Sequence, residues 1–268
     1  MVIKLGVVGF SEGNGHPFSF SSIVNGYSDE GFKGAGWDGI HAYLSRKNSA
    51  ADFGFPDVRV THAWTQNADL TATLCAAAKI DNPAGKLEDL MGEVDALLLT
   101  RDDCENHLSM ALPFLEAGTP VYCDKPLSLD VDELKKFRPY LDAGKLMSCS
   151  GMRYAHEIDE ARAGIAAGAY GDIRMIRGAV VLDWEHYGVH MVDAILNLYG
   201  DRATPVSVTR LPASHDSMAI EMSDGSVAQI DAMGACPKNF RIDVFGESVV
   251  SSHQLFDNFT AFRRTLAS

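Results

Sequence analysis

The first 150 residues alternate between short apolar runs and longer amphipathic segments. The apolar runs have the length of strands and are nearly continuous, as in strands buried on both faces of a sheet. Segments from Asn106 to Ala117 and from Val131 to Ala143 are each followed by glycine, a common helix end, and Ala68 to Ile80 is a third predicted helix. Strands are predicted at Val2 to Gly9, Val58 to Trp64, Val94 to Thr100, Thr119 to Cys123 and Lys145 to Ser150. This alternation predicts an α/β fold with a doubly wound parallel sheet.

The pattern changes in the second part of the chain, where strand candidates follow one another with few helices between them. Helices are predicted from Ile158 to Ala167, from His186 to Tyr199 and from Gln254 to Leu266. Strands are predicted at Ile173 to Leu182, Val206 to Leu211, Ser217 to Met222, Ser226 to Met233 and Phe240 to Phe245. Such a run predicts an open, mostly antiparallel sheet in an α+β domain. We therefore predict two domains, residues 1–150 and residues 151–268.

Residues 25–57 fit neither pattern. They intersperse glycines with aromatic residues, and one short helix is predicted near Ile40 to Arg46 in an otherwise irregular segment. Such a mixture suits either an ordered surface loop or the mouth of a substrate or cofactor site, and the sequence leaves both open.

Charge and composition narrow the class of partner. The 268 residues carry a formal net charge of -13 at pH 7 without any block of Lys or Arg, which argues against nucleic acid or an anionic membrane. The five cysteines are scattered and form no Cys-x-x-Cys pair, so we interpret them as reduced thiols of a cytoplasmic protein. Neither a signal peptide nor a membrane-spanning run is predicted. A small molecule is the expected partner.

A glycine-rich turn follows the first predicted strand, as at the start of a dinucleotide-binding unit. The fingerprint Gly-x-Gly-x-x-Gly reads here Gly9-x-Ser11-x-x-Asn14, so two of its glycines are replaced, although Gly13 lies within the turn. Glu12 adds a negative charge where phosphates would lie. The turn is a degraded match to the fingerprint, and an ordinary strand-to-helix turn is the alternative.

The end of the second strand is where a dinucleotide-binding unit carries the acid that binds the adenine ribose. This place holds Trp64, Thr65 and Gln66, with neither an acid for the ribose nor an arginine for a ribose phosphate. The sequence therefore does not decide between NAD and NADP.

Two further segments carry residues suited to proton transfer. Lys125 follows a predicted strand and is itself followed by Pro126. His186, His190 and Asp193 are four and three residues apart, so they share one stripe if the segment is helical. A lysine at a strand end and such a stripe are together the candidates for a proton-transfer site.

Each candidate also has a structural interpretation. Lys125 could be a solvated loop lysine, and His190 a hydrogen-bonded core histidine. Asp193 could serve only to orient His190. A metal site that uses His186 and His190 is disfavoured, because no third ligand has a characteristic spacing.

Together these motifs resemble the Gfo/Idh/MocA family of sugar and cyclitol oxidoreductases. The triplet Asp124-Lys125-Pro126 is similar to the Glu-Lys-Pro signature of that family, with Asp in place of Glu. The similarity runs nearly from end to end of the chain and includes Gly6-Val-Val-Gly9, Val94 to Thr100, His107 to Gly118, Tyr170 to Ile173, Gly188-Val-His190 with Asp193, and Ser223-Asp-Gly225.

The resemblance implies a Rossmann domain that binds NAD or NADP, joined to a substrate and oligomerisation domain. Lys125 would orient the substrate and assist proton transfer, and His190 would be the general acid/base. A homo-oligomer, either a dimer or a tetramer, is also implied. The catalytic candidates are Lys125, His190, Asp193 and His186. The cofactor-binding candidates are Gly9, Ser11, Gly13, Asn14, Thr65, Thr100, His107 and Asp124.

The chain departs from the family where cofactor and catalysis are concerned. His186 stands where the family commonly has an Asp, the glycine turn is degraded, and the ribose acid is missing. The first hypothesis is an NAD(P)-dependent oxidoreductase that acts on a hydroxyl carbon of a sugar, sugar derivative or cyclitol. The alternative is a Rossmann-fold protein that has lost hydride transfer and serves in ligand binding or assembly. Dinucleotide binding distinguishes the two.

Overall fold

The structure is a computed structural model that describes residues 2–47 and 51–268. The chain divides into two compact units, the first ending at Cys149 and the second running from Ser150 to Ser268. No helix in these described ranges is long and apolar enough to cross a membrane.

The first unit is built on a six-stranded sheet in which all neighbouring strands are parallel. Its strands are β1 Ile3–Val8, β2 Val58–Trp64, β3 Asn82–Pro83, β4 Ala96–Leu99, β5 Val121–Cys123 and β6 Leu146–Met147. The order β3-β2-β1-β4-β5-β6 reverses direction at β1 and confirms the predicted doubly wound sheet. In such sheets ligands bind at the carboxyl ends of the strands beside the reversal, here β1 and β4. The two-residue β3 was not predicted, since it is too short for a periodic signal.

Six helices of the described part of this unit flank or extend the sheet. They are α1 His16–Asn25, α2 Asp29–Phe32, α3 Asp38–Leu44, α4 Ala68–Ala78, α5 His107–Glu116 and α6 Val131–Asp142. The side chains of Asn67 and Asp130 cap α4 and α6 by accepting hydrogen bonds from first-turn N–H groups. α4, α5 and α6 therefore begin close to where the sequence predicts them.

The described part of the glycine and aromatic segment contains two short helices, α2 and α3, where the sequence predicts one. Phe32 stacks on His41 with ring centroids 5.2 Å apart, and Tyr27 meets both rings edge to face. Trp37 lies 5.9 Å from Phe18 of α1. Aromatic contacts thus hold these short helices, which are too short to be stable alone.

Alanine substitution is expected to have opposite effects on stability at Gly31 of α2 and Gly39 of α3. A Cβ at Gly31 would lie 2.3 Å from the carbonyl oxygen of Ala76, whereas no described heavy atom lies within 4 Å of a Cβ at Gly39. Gly31→Ala is expected to lower the free energy of unfolding by about 1–3 kcal/mol, since the backbone of α4 must move. Gly39→Ala should leave it unchanged or raise it by up to about 1 kcal/mol. Urea denaturation of both variants measures this, and equal effects would contradict it.

The second unit is built on a mixed six-stranded sheet of order β12-β11-β7-β10-β9-β8. Its strands are β7 Ile173–Val180, β8 Pro205–Arg210, β9 Asp216–Met222, β10 Val227–Ala232, β11 Phe240–Gly246 and β12 Val250–Gln254. The pair β7 and β10 is parallel and the other neighbours are antiparallel, as predicted for a mostly antiparallel sheet. The polar edge strand β12 was not predicted, because its sequence Val-Ser-Ser-His-Gln has little apolar alternation.

Three α-helices of the described second unit are α7 Asp159–Ala166, α8 Val189–Tyr199 and α9 Asn258–Ala267. The prediction of a regular helix from His186 was wrong for its first turn. A π-helical turn, Trp184–Gly188, precedes α8 and is capped by the side chain of Asp183. The spacing of four between His186 and His190 therefore does not place them on a regular α-helical stripe.

Candidate functional site

The loop between β1 and α1 is joined to the loop after β4 by side-chain hydrogen bonds. Ser11 Oγ donates to Asp102 Oδ1 at 2.5 Å, and the backbone N–H of Asp102 donates to Ser11 Oγ at 3.1 Å. Lys125 Nζ lies 3.8 Å from Asp102 Oδ2. Ser11, Asp102 and Lys125 follow three different strands and meet at the carboxyl edge of the sheet.

Lys125 is not a solvated loop lysine, because only 5% of it is exposed. Its ammonium group lies in a partly buried setting beside the carboxylate of Asp102, which lowers the cost of burying the charge. A positive charge held at the ligand-binding edge of a doubly wound sheet can stabilise a developing negative charge on a bound molecule.

Asp124, directly after β5, is almost completely buried and accepts three hydrogen bonds. Its Oδ2 lies 2.5 Å from His16 Nδ1 and accepts from Asn14 Nδ2 at 3.2 Å, while Oδ1 accepts from the Lys125 backbone N–H at 2.9 Å. Burial would raise the pKa of Asp124, but the charge and hydrogen bond of His16, with the charge of Lys125, lower it to about 2. Asp124 is therefore a carboxylate at neutral pH.

This lowered pKa predicts how stability depends on acid. Because the pKa of Asp124 is lower in the folded protein than in the unfolded chain, its ionisation stabilises the fold above about pH 4. The contribution, about 2 kcal/mol, is lost as the pH falls toward about 2. Unfolding free energies measured from about pH 5 to about pH 2 should therefore fall less steeply for Asp124→Asn than for the wild type. Asp29→Asn, at an exposed carboxylate, is the control and should follow the wild-type slope.

The glycine loop can accept an anion through its backbone. The N–H groups of Glu12, Gly13 and Gly15 donate to no acceptor within residues 2–47 and 51–268, and they lie where α1 begins. Gly13 has φ of 78° and no described heavy atom within 4 Å of a Cβ. Gly15 is needed for close packing, because a Cβ there would lie 2.3 Å from Ile40 Cδ1. Unpaired N–H groups before a helix are suited to an anion such as the pyrophosphate of a dinucleotide.

The end of β2 is occupied by contacts within the protein. Gln66 accepts from the Phe10 backbone N–H at 2.9 Å and donates to the Phe10 carbonyl at 2.6 Å. Arg101 Nη1 donates to Gln66 Oε1 at 3.0 Å, and the remaining guanidinium is paired with Asp103. Gln66, which lies at the expected ribose position, thus holds the glycine loop in place. Arg101, from the loop after β4, lies beside Gln66.

Three of the predicted cofactor-binding residues have structural partners. Thr100 Oγ1 donates to the Val8 carbonyl at 3.0 Å, and Thr65 Oγ1 donates to the Asn67 carbonyl at 2.7 Å. The ring nitrogens of His107 lie 3.0 and 2.9 Å from two carbonyl oxygens, those of Leu127 and Arg101. Through these contacts with backbone carbonyl groups, the three residues stabilise the strand ends and loops around the site.

In the second unit, Ser150 links His190 and Asp193. His190 Nδ1 lies 2.6 Å from Ser150 Oγ, and Ser150 N–H donates to Asp193 Oδ2 at 2.7 Å. Arg153 Nη1 lies 3.3 Å from Asp193 Oδ1. Burial raises the pKa of Asp193, although Arg153 and the Ser150 N–H act in the opposite direction. His190 is thereby a buried histidine with a fixed partner, and Asp193 orients the backbone that carries this partner.

His186 has a different environment from His190. Its Nδ1 lies 2.8 Å from Asp183 Oδ1 and its side chain is largely exposed. Within the described ranges, no three His, Cys, Asp or Glu side chains form a group that could hold a metal ion. The side chain of His186 contacts Asp183, the residue that caps the π-helical turn.

Four residues at these sites were not predicted from the sequence. His16 directly follows the glycine turn, and Arg101 and Asp102 directly follow the end of β4. Polar residues immediately after parallel strands are a general signal of ligand sites, and applying it to β4 would have found both. No sequence pattern indicates Ser150, because its contact with His190 joins residues that are 40 positions apart in the chain.

The comparison with known protein families finds a match in the first unit. Residues 33–146 match the GFO_IDH_MocA model, described as "Oxidoreductase family, NAD-binding Rossmann fold". Over these residues the chain is similar to the Gfo/Idh/MocA family. The resemblance seen in the sequence is thereby confirmed. The match includes Thr65, Thr100, His107, Asp124 and Lys125, whereas the glycine loop and the second unit lie outside it.

One curated relative is the uncharacterized oxidoreductase ORF334 of Rhizobium meliloti. It is 31% identical over 116 residues, which are 41% of this chain and 34% of that protein. The aligned region therefore spans about a third of the length of this relative.

Solved structures of inositol dehydrogenases share the fold. Myo-inositol 2-dehydrogenase from Lactobacillus plantarum has a TM-score of 0.75 and 14% identity, over 99% of this chain and 87% of that chain. Scyllo-inositol dehydrogenase from Lactobacillus casei, solved with NAD(H) and scyllo-inositol, has a TM-score of 0.68 and 14% identity, over 94% and 76% of the two chains. At this identity the similarity establishes the fold and not the substrate.

Proposed function

We propose that this protein is an NAD(P)-dependent oxidoreductase that transfers hydride between its coenzyme and a hydroxyl-bearing carbon of a sugar, sugar derivative or cyclitol. The observation that carries the proposal is the buried ammonium group of Lys125 at the carboxyl edge of an NAD-binding Rossmann sheet. Asp102 and Ser11 connect it to the glycine loop. The inositol dehydrogenases of similar fold make cyclitols the first substrates to test.

The proposed reaction needs a hydride acceptor, a proton acceptor and stabilisation of the substrate oxygen. The coenzyme, when bound, supplies the hydride acceptor. The proton acceptor is an imidazole, which can exchange a proton near neutral pH, and the family resemblance gives this role to His190. The ammonium group of Lys125 stabilises the alkoxide-like oxygen. Asp193 and Ser150 keep the His190 ring in one orientation.

The glycine loop and the start of α1 are the proposed pyrophosphate site. The N–H groups of Glu12, Gly13 and Gly15 would donate to phosphate oxygens, aided by the dipole of α1. Lys125 partly offsets the negative charge of Asp102 in this region. The preference between NAD and NADP stays open in this proposal, because Gln66 carries no charge and the guanidinium of Arg101 is paired with Asp103.

Calorimetric titration with NAD, NADH, NADP and NADPH in separate runs tests the proposal. We expect micromolar binding of one coenzyme pair, followed by turnover of that coenzyme with at least one member of a panel of cyclitols and sugars. Absence of binding by all four coenzymes would contradict the proposal. A surface variant that leaves the loop intact, Lys33→Ala, is the control and should bind like the wild type.

Three expectations about the whole protein stay predictions. A homo-oligomer, dimer or tetramer, is expected from the family resemblance, and light scattering would measure it. A cytoplasmic location and partners other than nucleic acid or membranes are expected from the charge and cysteine patterns.

A further inference from the structure

His16 and Asp124 form a histidine–carboxylate pair next to Lys125. His16 is the first residue of α1 and follows the glycine loop directly. The Asp124 side chain is 1% exposed and that of His16 is 21% exposed, with 2.5 Å between Asp124 Oδ2 and His16 Nδ1. The carboxylate therefore lies behind the imidazole, and the imidazole is the member of the pair that a ligand can reach.

The carboxylate determines which nitrogen of His16 holds a permanent hydrogen. Asp124 is ionised at neutral pH and can only accept hydrogen bonds. His16 Nδ1 must therefore carry a hydrogen, which it donates to Asp124. Asp124 thus fixes the hydrogen on Nδ1 and leaves Nε2 as the nitrogen that can face a ligand.

His190 has a weaker electrostatic partner. Its Nδ1 lies 2.6 Å from the hydroxyl of Ser150, which also accepts from the Met152 N–H at 3.0 Å. A serine hydroxyl is neutral, whereas a carboxylate both orients an imidazole and stabilises the imidazolium formed when it takes a proton. Of the two histidines, His16 is thus the better equipped to act as a base.

Asp124 has hydrogen-bond partners other than His16. Asp124 already accepts from Asn14 Nδ2 and from the Lys125 N–H, so it does not depend on an imidazole to satisfy its oxygens. The charged groups around the pair are Lys125, whose charge acts on Asp124, and Asp102, which lies 3.8 Å from the lysine. His16, Asp124 and Lys125 together have the composition of an acid/base centre.

We propose that His16, held by Asp124, is a catalytic acid/base of this protein, which rests on the function proposed above. In alcohol oxidation His16 Nε2 accepts the hydroxyl proton while the carbon gives up hydride, with its electron pair, to NAD(P)⁺. The alcohol becomes a carbonyl, and the proton leaves His16 to water. In the reverse direction His16 donates the proton to the carbonyl oxygen.

The test uses the full-length protein and two matched pairs of variants. His16→Gln and Asp124→Asn alter the proposed centre, whereas His41→Gln and Asp29→Asn alter an exposed histidine–aspartate pair at 2.7 Å in the same unit. Coenzyme affinity is measured by calorimetry for each variant. The pH profile of kcat/KM is then measured with the best cyclitol of the panel, and the imidazole nitrogens of ¹⁵N-histidine-labelled protein are followed by NMR during NADH addition.

We expect His16→Gln to lower kcat at least about 100-fold, with coenzyme Kd changed less than about threefold, and to lose the acid limb of the pH profile. Asp124→Asn should remove the low-field Nδ1–H signal of His16 and lower kcat about 10-fold or more. The His41 and Asp29 variants should match the wild type. NADH should move the Nε2 resonance of His16 and leave that of His41 in place.

Two results overturn the proposal in distinguishable ways. If the wild type turns over but His16→Gln keeps its rate and its pH profile, the acid/base role of His16 is wrong and the oxidoreductase function stands. If the wild type binds none of the four coenzymes and NADH leaves the His16 signals unchanged, both the function and the role of His16 are wrong.

Discussion

Replacing Lys125 by methionine is expected to lower kcat at least about 100-fold, with a smaller change in coenzyme affinity. Methionine keeps most of the volume of the buried stem and removes the ammonium group. The lost charge lies 3.8 Å from Asp102 and acts on Asp124. Steady-state kinetics with the coenzyme identified by calorimetry measures the effect.

The controls for Lys125→Met separate charge from packing. Lys125→Arg keeps the positive charge but spreads it over a larger planar group, so we expect an intermediate rate. Lys33→Met removes an exposed lysine in the same unit and should leave kcat unchanged. Near-normal turnover by Lys125→Met would show that this ammonium group has no part in the reaction.

Replacing His190 by glutamine is the second change with a large expected effect, again at least about 100-fold in kcat. Glutamine can still bond to Ser150, so packing is largely kept while the titratable nitrogen is lost. Ser150→Ala removes only the orienting contact, and about a 10-fold loss is expected, with the pH profile of kcat shifted. A rise in KM with kcat unchanged would indicate that His190 binds the substrate and does not transfer a proton.

The two histidines can be compared directly in a double variant. If His16 and His190 serve the same proton transfer, the combined variant should be no slower than the worse single variant. If they serve different steps, the free-energy losses should add. Thermal unfolding of each variant shows whether the fold is retained, and His186→Gln at an exposed position is a further control.

Local sequence patterns determined most of the fold. Continuous apolar runs, capped amphipathic segments and glycines after helices predicted five of the six strands of each sheet within a few residues. The Asp124-Lys125-Pro126 and Gly188-Val-His190 segments indicated the family that residues 33–146 confirm. Each of these features lies within a single helix, strand or loop, so it can be recognised without knowing which distant residues it contacts.

Tertiary structure alone decided which side chains form each site. His16 and Asp124 are 108 residues apart, Ser11 and Asp102 are 91 apart, and Ser150 and His190 are 40 apart. Periodicity and propensity describe neighbours on one helix or strand, so they hold no information on pairs brought together by sheet order. The π-helical turn before α8 likewise separates the environments of His186 and His190 in a way that a spacing of four could not reveal. The sequence thus predicted the strand ends that carry the candidate reactive residues. The partners that orient these residues are determined by the packing of strands and loops.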